Sequence, residues 1–185
     1  MSDQQIIEEI LKGNQTMFRL LVEKYQKMVF VTAIGFVHNK EDAEDLTQEI
    51  FVKVWESLSS FKGDSEFSTW LYRIAVNSSI NSVQKKQQNH FIELAEEWIQ
   101  SFFHVESGEK DSQQLLEANE TDAAIQKAID SLPVSQRTAF LLSTYDDLSQ
   151  KQIADVMQRS EGAVEQLLQR AKTNLQIKLG SRVGK

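Results

Sequence analysis

Residues 149–175 read SQKQIADVMQRSEGAVEQLLQRAKTNL. Ser149 with Gln152 three positions later is a capping box, so the spacing predicts a helix from Ser149 to Met157. Only a few residues separate Met157 from Gly162, and a longer helix is predicted over Ser160–Leu179. Its apolar stripe is Val164, Leu167, Leu168, Ala171, Leu175 and Leu179, and Gly180 stands as its candidate C-cap. A short helix, a tight turn and a longer helix with a polar outer face make a helix-turn-helix layout. The outer face carries Gln166, Gln169, Arg170 and Lys172, and Gln bonds bidentately to adenine while Arg and Lys suit phosphate or guanine. A solvated helix hairpin has the same pattern, and Glu161 and Glu165 oppose phosphate, so duplex reading and a plain hairpin both stand on this stretch alone.

Upstream, Ala124, Ile125, Ala128 and Ile129 predict a helix over Thr121–Ser131. Leu132 and Pro133 stop it, and a further helix follows over Ser135–Tyr145. In the first half of the chain, Phe18, Leu21, Val22, Tyr25, Val29, Thr32 and Phe36 recur at helical spacing. The run MVFVTAIGFV continues them with apolar residues nearly all round, as in a buried central helix; its β-branched content allows a strand, which the continuous period from Phe18 makes the weaker alternative. Asn39 caps a second helix striped by Ala43, Leu46, Ile50, Val54 and Leu58 up to a turn at Phe61–Asp64. A third begins near Ser65 with Phe67, Trp70, Leu71 and Ile74. Its tail, Asn77, Ser78, Ser79, Asn81, Ser82, Gln84, Lys85 and Lys86, is polar on most faces and either frays into solvent or touches something polar.

The 185 residues allow one domain or two small ones. Seven glycines and one proline favour an all-α chain, and zero cysteine removes disulfides, thiolate nucleophiles and Cys-type zinc sites. His38, His90 and His104 are scattered, so no metal site, cofactor or catalytic residue is assigned. The N-terminus is acidic where a secretory signal needs bases. The longest apolar run, Met28 to Val37, is half of the roughly 20 residues a membrane span requires. A soluble, cytoplasmic protein without membrane insertion is expected.

The net charge of −7 speaks against independent nucleic-acid binding. It is unevenly spread. Residues 1–90 carry 10 basic and 12 acidic groups, residues 91–130 carry 2 and 10, and residues 131–185 carry 8 and 5. The acidic middle, with the loop-like Val105–Ser112, therefore reads as a linker between two domains. Phe91, Leu94, Ala95, Trp98, Ile99, Phe102 and Phe103 predict a short acidic amphipathic helix within it. Glu41–Glu49 (EDAEDLTQE) lacks any pocket signal for paired carboxylates and is either a solvated face or a docking face for a basic partner. Exposed aromatics, amides and lysines after Phe67 would suit single-stranded nucleic acid, although Phe67, Trp70, Leu71 and Ile74 fit the core on periodicity.

Two segments carry a family resemblance: DAEDLTQEIFVKVWESLSSFKGDSEFSTWLYRIAVNSSINSVQKK and, past the linker, SLPVSQRTAFLLSTYDDLSQKQIADVMQRSEGAVEQLLQRAKTNL. Together they resemble the extracytoplasmic-function sigma factors of the sigma-70 superfamily, promoter-specificity subunits of bacterial RNA polymerase. The resemblance implies two small helical domains joined by an acidic linker. Residues 1–90 would form a region 2-like bundle that binds core polymerase and melts the minus-ten element, 91–120 the linker, and 121–185 a region 4-like helix-turn-helix that reads the minus-thirty-five element. Asp45, Gln48, Glu49 and Phe51 match the family's polymerase-binding helix.

Lys62, Gly63, Asp64, Ser65 and Phe67 match its pocket for a flipped minus-ten base, and Tyr72, Arg73, Asn77, Asn81 and Lys85 its strand-contacting helix. Arg159, Ser160, Glu165, Gln166, Gln169, Arg170 and Lys172 match its minus-thirty-five face. Many members carry Asp where this chain has Asn81, Arg where it has Gln84 and a basic residue where it has Glu165. The implied partners are core RNA polymerase through the beta-prime clamp and beta flap, promoter DNA and an anti-sigma factor. A free-standing helix-turn-helix regulator and an acidic protein that sequesters a basic partner are the rival expectations.

Overall fold

The structure, a computed structural model, describes residues 1–101 and 117–183, with side-chain surroundings for residues 1–88 and 123–180. Among the described residues there are helices and no strand.

The chain opens with α1, Asp3–Leu11, a helix the patterns above did not single out. Ser2 and Gln5 form a capping box, and Ile6, Ile7 and Ile10 are buried. Asp3 ties α1 to the next helix, accepting from the Tyr25 hydroxyl and from Lys24 Nζ, each at 2.6 Å. Burial and the bond to Asp3 push the Tyr25 phenol up to about 12. After a 3-10 turn at Gln15–Met17, α2 spans Phe18–Val37, so the VFVTAIGFV segment is helical throughout. It stops at His38, whose φ of 57° is left-handed and whose N–H donates to the Ile34 carbonyl.

In α3, Lys40–Ser57, the Asn39 side chain accepts from the Asp42 N–H at 3.0 Å, as its position predicts. A 3-10 turn at Leu58–Ser60 and a short loop lead into α4, Phe67–Ser101, one unbroken helix of 35 residues. The predicted boundary at residue 90 therefore falls inside a continuous helix. The expected linker helix from Phe91 begins as its extension, while Phe102, Phe103 and the loop Val105–Ser112 lie outside the described residues.

The second half comprises α5 (Glu117–Asp130), α6 (Val134–Thr144), α7 (Gln150–Met157) and α8 (Glu161–Val183). Pro133 occupies the N-cap position of α6, where its missing N–H costs nothing. The Ser149–Gln152 capping box is present in both directions. Gly180 does not end α8, which runs on to Val183. A Cβ there would meet nothing within 4 Å, so no packing enforces a stop at the glycine.

Two apolar clusters hold these helices. One joins α1 to α4 around Ile7, Leu21, Val29, Ile50, Val54 and Leu71. The other gathers Ile129, Leu141, Leu142, Ile153, Val164 and Ala171 from α5 to α8. It also takes in Phe36 of α2 and Tyr72 and Val76 of α4, so the second domain is packed on the first. Among the described residues no helix is long and apolar enough to cross a membrane.

Candidate nucleic-acid interface

Three surfaces collect the residues singled out by sequence. The first is on α3. Asp45, Gln48 and Glu49 project from its outer face, exposed, because the heptad-like apolar row Ala43, Leu46, Ile50 and Val54 turns the opposite face inward. Beside them runs an open apolar groove between α2 and α3, lined by Phe18, Val22, Thr47, Phe51, Val52 and Trp55. Val52 at 56% and Trp55 at 38% are unusually exposed for apolar groups, so the groove has an unpartnered rim. Phe51 is not a surface group as its place among the polymerase-binding residues suggested. It is 7% exposed, edge-on to Phe18 with ring centroids 6.4 Å apart, and forms the groove's floor. Val52 and Trp55 were not foreseen. The signal was present as apolar residues on the polar side of the α3 stripe.

The second surface is the loop before α4 and the helix itself. Lys62, Gly63 and Asp64 are exposed and Ser65 half-buried, with Gly63 at φ +79°, a turn that suits glycine. Phe67 corrects the expectation that it faces a base. It is 3% exposed and its ring packs on Tyr25, Phe61 and Trp70 at centroid distances of 5.4 to 5.7 Å, so it anchors the loop from beneath. Along α4, Arg73, Asn77, Asn81 and Lys85 recur every four residues and so share one face. Asn77, Asn81 and Lys85 are exposed. Tyr72 is not, being covered by the second domain. Three other polar residues of the tail are used internally. Ser78 accepts from Lys53 Nζ at 3.1 Å, the buried Ser79 hydroxyl donates to the Ala75 carbonyl at 2.8 Å, and Lys86 pairs with Asp42.

The third surface is on α8. Gln158 takes a left-handed C-cap conformation that turns the chain sharply out of α7. Arg159 and Ser160 then lie exposed in the turn, and the Ser160 hydroxyl accepts the Ala163 N–H at 3.2 Å. Glu165, Gln166, Gln169, Arg170 and Lys172 are all exposed on one continuous arc, opposite the buried Val164, Ala171 and Leu175. Gln166, Gln169 and Arg170 border a shallow polar groove completed by Gln136, Thr173 and Asn174. Asn174 Nδ2 donates to Gln136 Oε1 at 2.8 Å, fixing α6 against this face of α8. Gln136 lies far from α8 in sequence, and only the packing of α6 on α8 brings it there. A row of amides with one guanidinium on an accessible helix face offers both donors and acceptors to base edges, plus a cation for phosphate.

Comparison with known proteins places these surfaces in a family frame. The model of sigma-70 region 2 matches residues 21–89, and that of sigma-70 region 4 matches residues 122–175. The RNA polymerase sigma-H factor of Pseudomonas aeruginosa is 35% identical over 173 residues, covering 92% of this chain and 90% of that protein. The ECF RNA polymerase sigma-E factor of Escherichia coli K12 is 33% identical over 187 residues, covering 97% and 95%. Among solved structures, CnrH in complex with the cytosolic domain of CnrY superposes with a TM-score of 0.68 at 22% identity, covering 98% of this chain and 99% of that one. RpoE of Bartonella quintana, crystallised with the anti-sigma factor NepR, superposes with a TM-score of 0.58 at 23% identity, covering 91% and 98%.

Proposed function

The chain belongs to the extracytoplasmic-function sigma factors of the sigma-70 family, and from that premise we propose how its three surfaces divide the work of promoter-directed transcription initiation. Asp45, Gln48 and Glu49, with the apolar rim of Val52 and Trp55, dock on core RNA polymerase. Carboxylates and an amide around an apolar groove suit a partner helix that is basic at its edges and apolar along its centre. The loop Lys62–Ser65 and the α4 row Arg73, Asn77, Asn81 and Lys85 hold the opened minus-ten strand. The α8 face, carried by Gln166, Gln169 and Arg170 with Glu165, Lys172, Arg159 and Ser160 around it, reads minus-thirty-five duplex. The chain adds no catalytic group, and polymerisation stays with the core. It works in the cytoplasm, with an anti-sigma factor as a further partner.

The observation that carries this reading is the α8 arc, whose base-matching side chains all stand in solvent while its opposite side is core. The acidic total fits the same scheme. A chain of net charge −7 is a weak DNA ligand alone, and polymerase supplies the cationic surface that holds the promoter. Run-off transcription tests it with purified core enzyme, this chain and genomic promoter fragments. Products starting at discrete sites only when the chain is present are expected; duplex binding without any such product would overturn the reading in favour of a free-standing regulator.

A further inference from the structure

The start of α1 stands against the loop assigned to the minus-ten base. A Cβ built on Gly63 would lie 3.6 Å from Gln4 Oε1, and among the described residues no other atom beyond the chain neighbours comes within 4 Å of it. Three features fix this placement. The Ser2–Gln5 capping box sets where the helix begins, and Ile6 and Ile7 bury its inner face. Asp3 accepts from Lys24 Nζ and from the Tyr25 hydroxyl. The Tyr25 ring in turn packs edge-on to Phe67 at 5.4 Å, and Phe67 packs on Phe61 at 5.6 Å, the two aromatics that flank the loop. The region 2 match begins at residue 21, so neither family match reaches this helix.

Gln4 is exposed and lies one turn before Glu8 on the same face of α1. Its Nε2 donates to Glu8 Oε1 at 3.1 Å. A carboxylate only accepts, so the amide nitrogen is committed to Glu8 and the amide oxygen is the atom turned toward Gly63. Among the described residues no donor reaches that oxygen.

We propose that α1 is one rim of the minus-ten base pocket and that Gln4, oriented by Glu8, accepts through Oε1 from the exocyclic amino group of the captured base, which selects cytosine or adenine over thymine. This rests on the assignment of Lys62–Ser65 to the opened strand. Cytosine N4 and adenine N6 donate, whereas thymine O4 would set oxygen against oxygen. Gly63 serves the same contact from the loop side: at φ +79° and without a Cβ, it leaves the turn open next to the amide. Glu8 is a positioning residue that acts on the base only through Gln4.

Core polymerase carrying the full chain is bound to a labelled fragment of a promoter that gives run-off product, duplex upstream and single-stranded over the minus-ten element, and affinity is read by anisotropy. At one position the parent should lose about fivefold when cytosine is replaced by uracil or adenine by purine, the net worth of one hydrogen bond. Gln4→Met keeps the length of the side chain and removes the amide, so that loss should shrink to about twofold or less, with the other positions and the unfolding midpoint as in the parent. Glu8→Ala frees the amide to turn its nitrogen to the base, and the discrimination should narrow although Gln4 is still present. A parent indifferent to the amino group at every position, or a discrimination that survives in Gln4→Met, would overturn the inference. Ser65→Ala separates it from the reading on which it rests. A base preference altered by Ser65→Ala but not by Gln4→Met would leave the pocket standing without α1, whereas indifference to both at all positions would mean that Lys62–Ser65 holds no base, and the role of Gln4 would fall with it.

Discussion

Arg137 of α6 donates from Nη2 to the main-chain carbonyl of Phe36, one residue before the end of α2, at 2.7 Å, and its guanidinium lies over the Phe36 ring at 5.3 Å. That carbonyl is one of the last four of α2, which have no partner within the helix, and it lies at the negative end of the helix dipole. A cation from the other domain thus completes a helix terminus. The same side chain pairs with Asp130 at 2.7 Å, and Asp130 also meets His38 at 2.9 Å. Burial lowers the Arg137 pKa and Asp130 opposes that shift; a guanidinium stays charged in proteins on its own chemistry.

Arg137→Ala should therefore cost about 1–3 kcal/mol, the range for losing a hydrogen bond to a charged group and stranding its partner. The lower half of that range is the better expectation, because Asp130 at 39% exposure turns to water instead. Urea denaturation followed by tryptophan fluorescence would measure it. A midpoint equal to the parent's would mean that the contact is idle in solution.

Asp45, Gln48 and Glu49 are solvated in the free chain, so replacing all three by Ala should leave the unfolding midpoint within about 0.5 kcal/mol of the parent. Affinity for core polymerase should drop by an order of magnitude or more. Val52→Ser separates the apolar share: at 56% exposure the side chain adds little to the core, yet it rims the groove beside Phe51 and Trp55. Core binding weakened at constant stability is the expected pattern. If neither variant changes polymerase affinity in a pull-down with labelled chain, the docking surface lies elsewhere.

Elements with their own punctuation were legible in the sequence. Asn39 and the Ser149–Gln152 pair mark helix starts by side-chain chemistry that acts within one turn, and each stands where expected; Pro133, read as the stop of the helix before it, also caps the one that follows. The α1 helix carries the same kind of signal in Ser2 and Gln5 with Ile6, Ile7 and Ile10. What local pattern could not show is partition between the domains. Tyr72 and Val76 share a periodicity with Leu71 and Ala75, yet the first pair packs on α5–α8 and the second on α1–α3. Such long-range choices are set by which surface arrives from far along the chain, and so Phe51, Phe67 and Tyr72 match contact positions in sequence although the structure covers them.

Ile7 tests how much α1 contributes. It is 2% exposed within the first cluster, so Ile7→Ala should lose about 2–5 kcal/mol through lost transfer energy and the cavity left behind. The loss should appear in thermal melts of the full chain as a lower transition. A cost below about 1 kcal/mol would indicate that α1 is held loosely.

The duplex-reading face separates positioning from specificity. Gln166 and Gln169 can each make a paired hydrogen bond to one base, so Gln166→Ala or Gln169→Ala should shift preference among promoter variants by about 1–3 kcal/mol at a single base pair. Arg170 at the border of the same groove is suited to phosphate. Arg170→Ala should weaken all promoters nearly alike and reduce the salt slope of binding by about 1. Glu165 stands between these classes on the exposed arc, able to accept from cytosine N4 or to repel phosphate. Glu165→Gln resolves it: a base-reading carboxylate loses preference at one position, whereas a repelling one gains affinity on every promoter. Binding of holoenzyme to a promoter library at two salt concentrations measures all four variants together. Identical profiles for the Gln and Arg replacements would show that α8 presents a different face to the duplex.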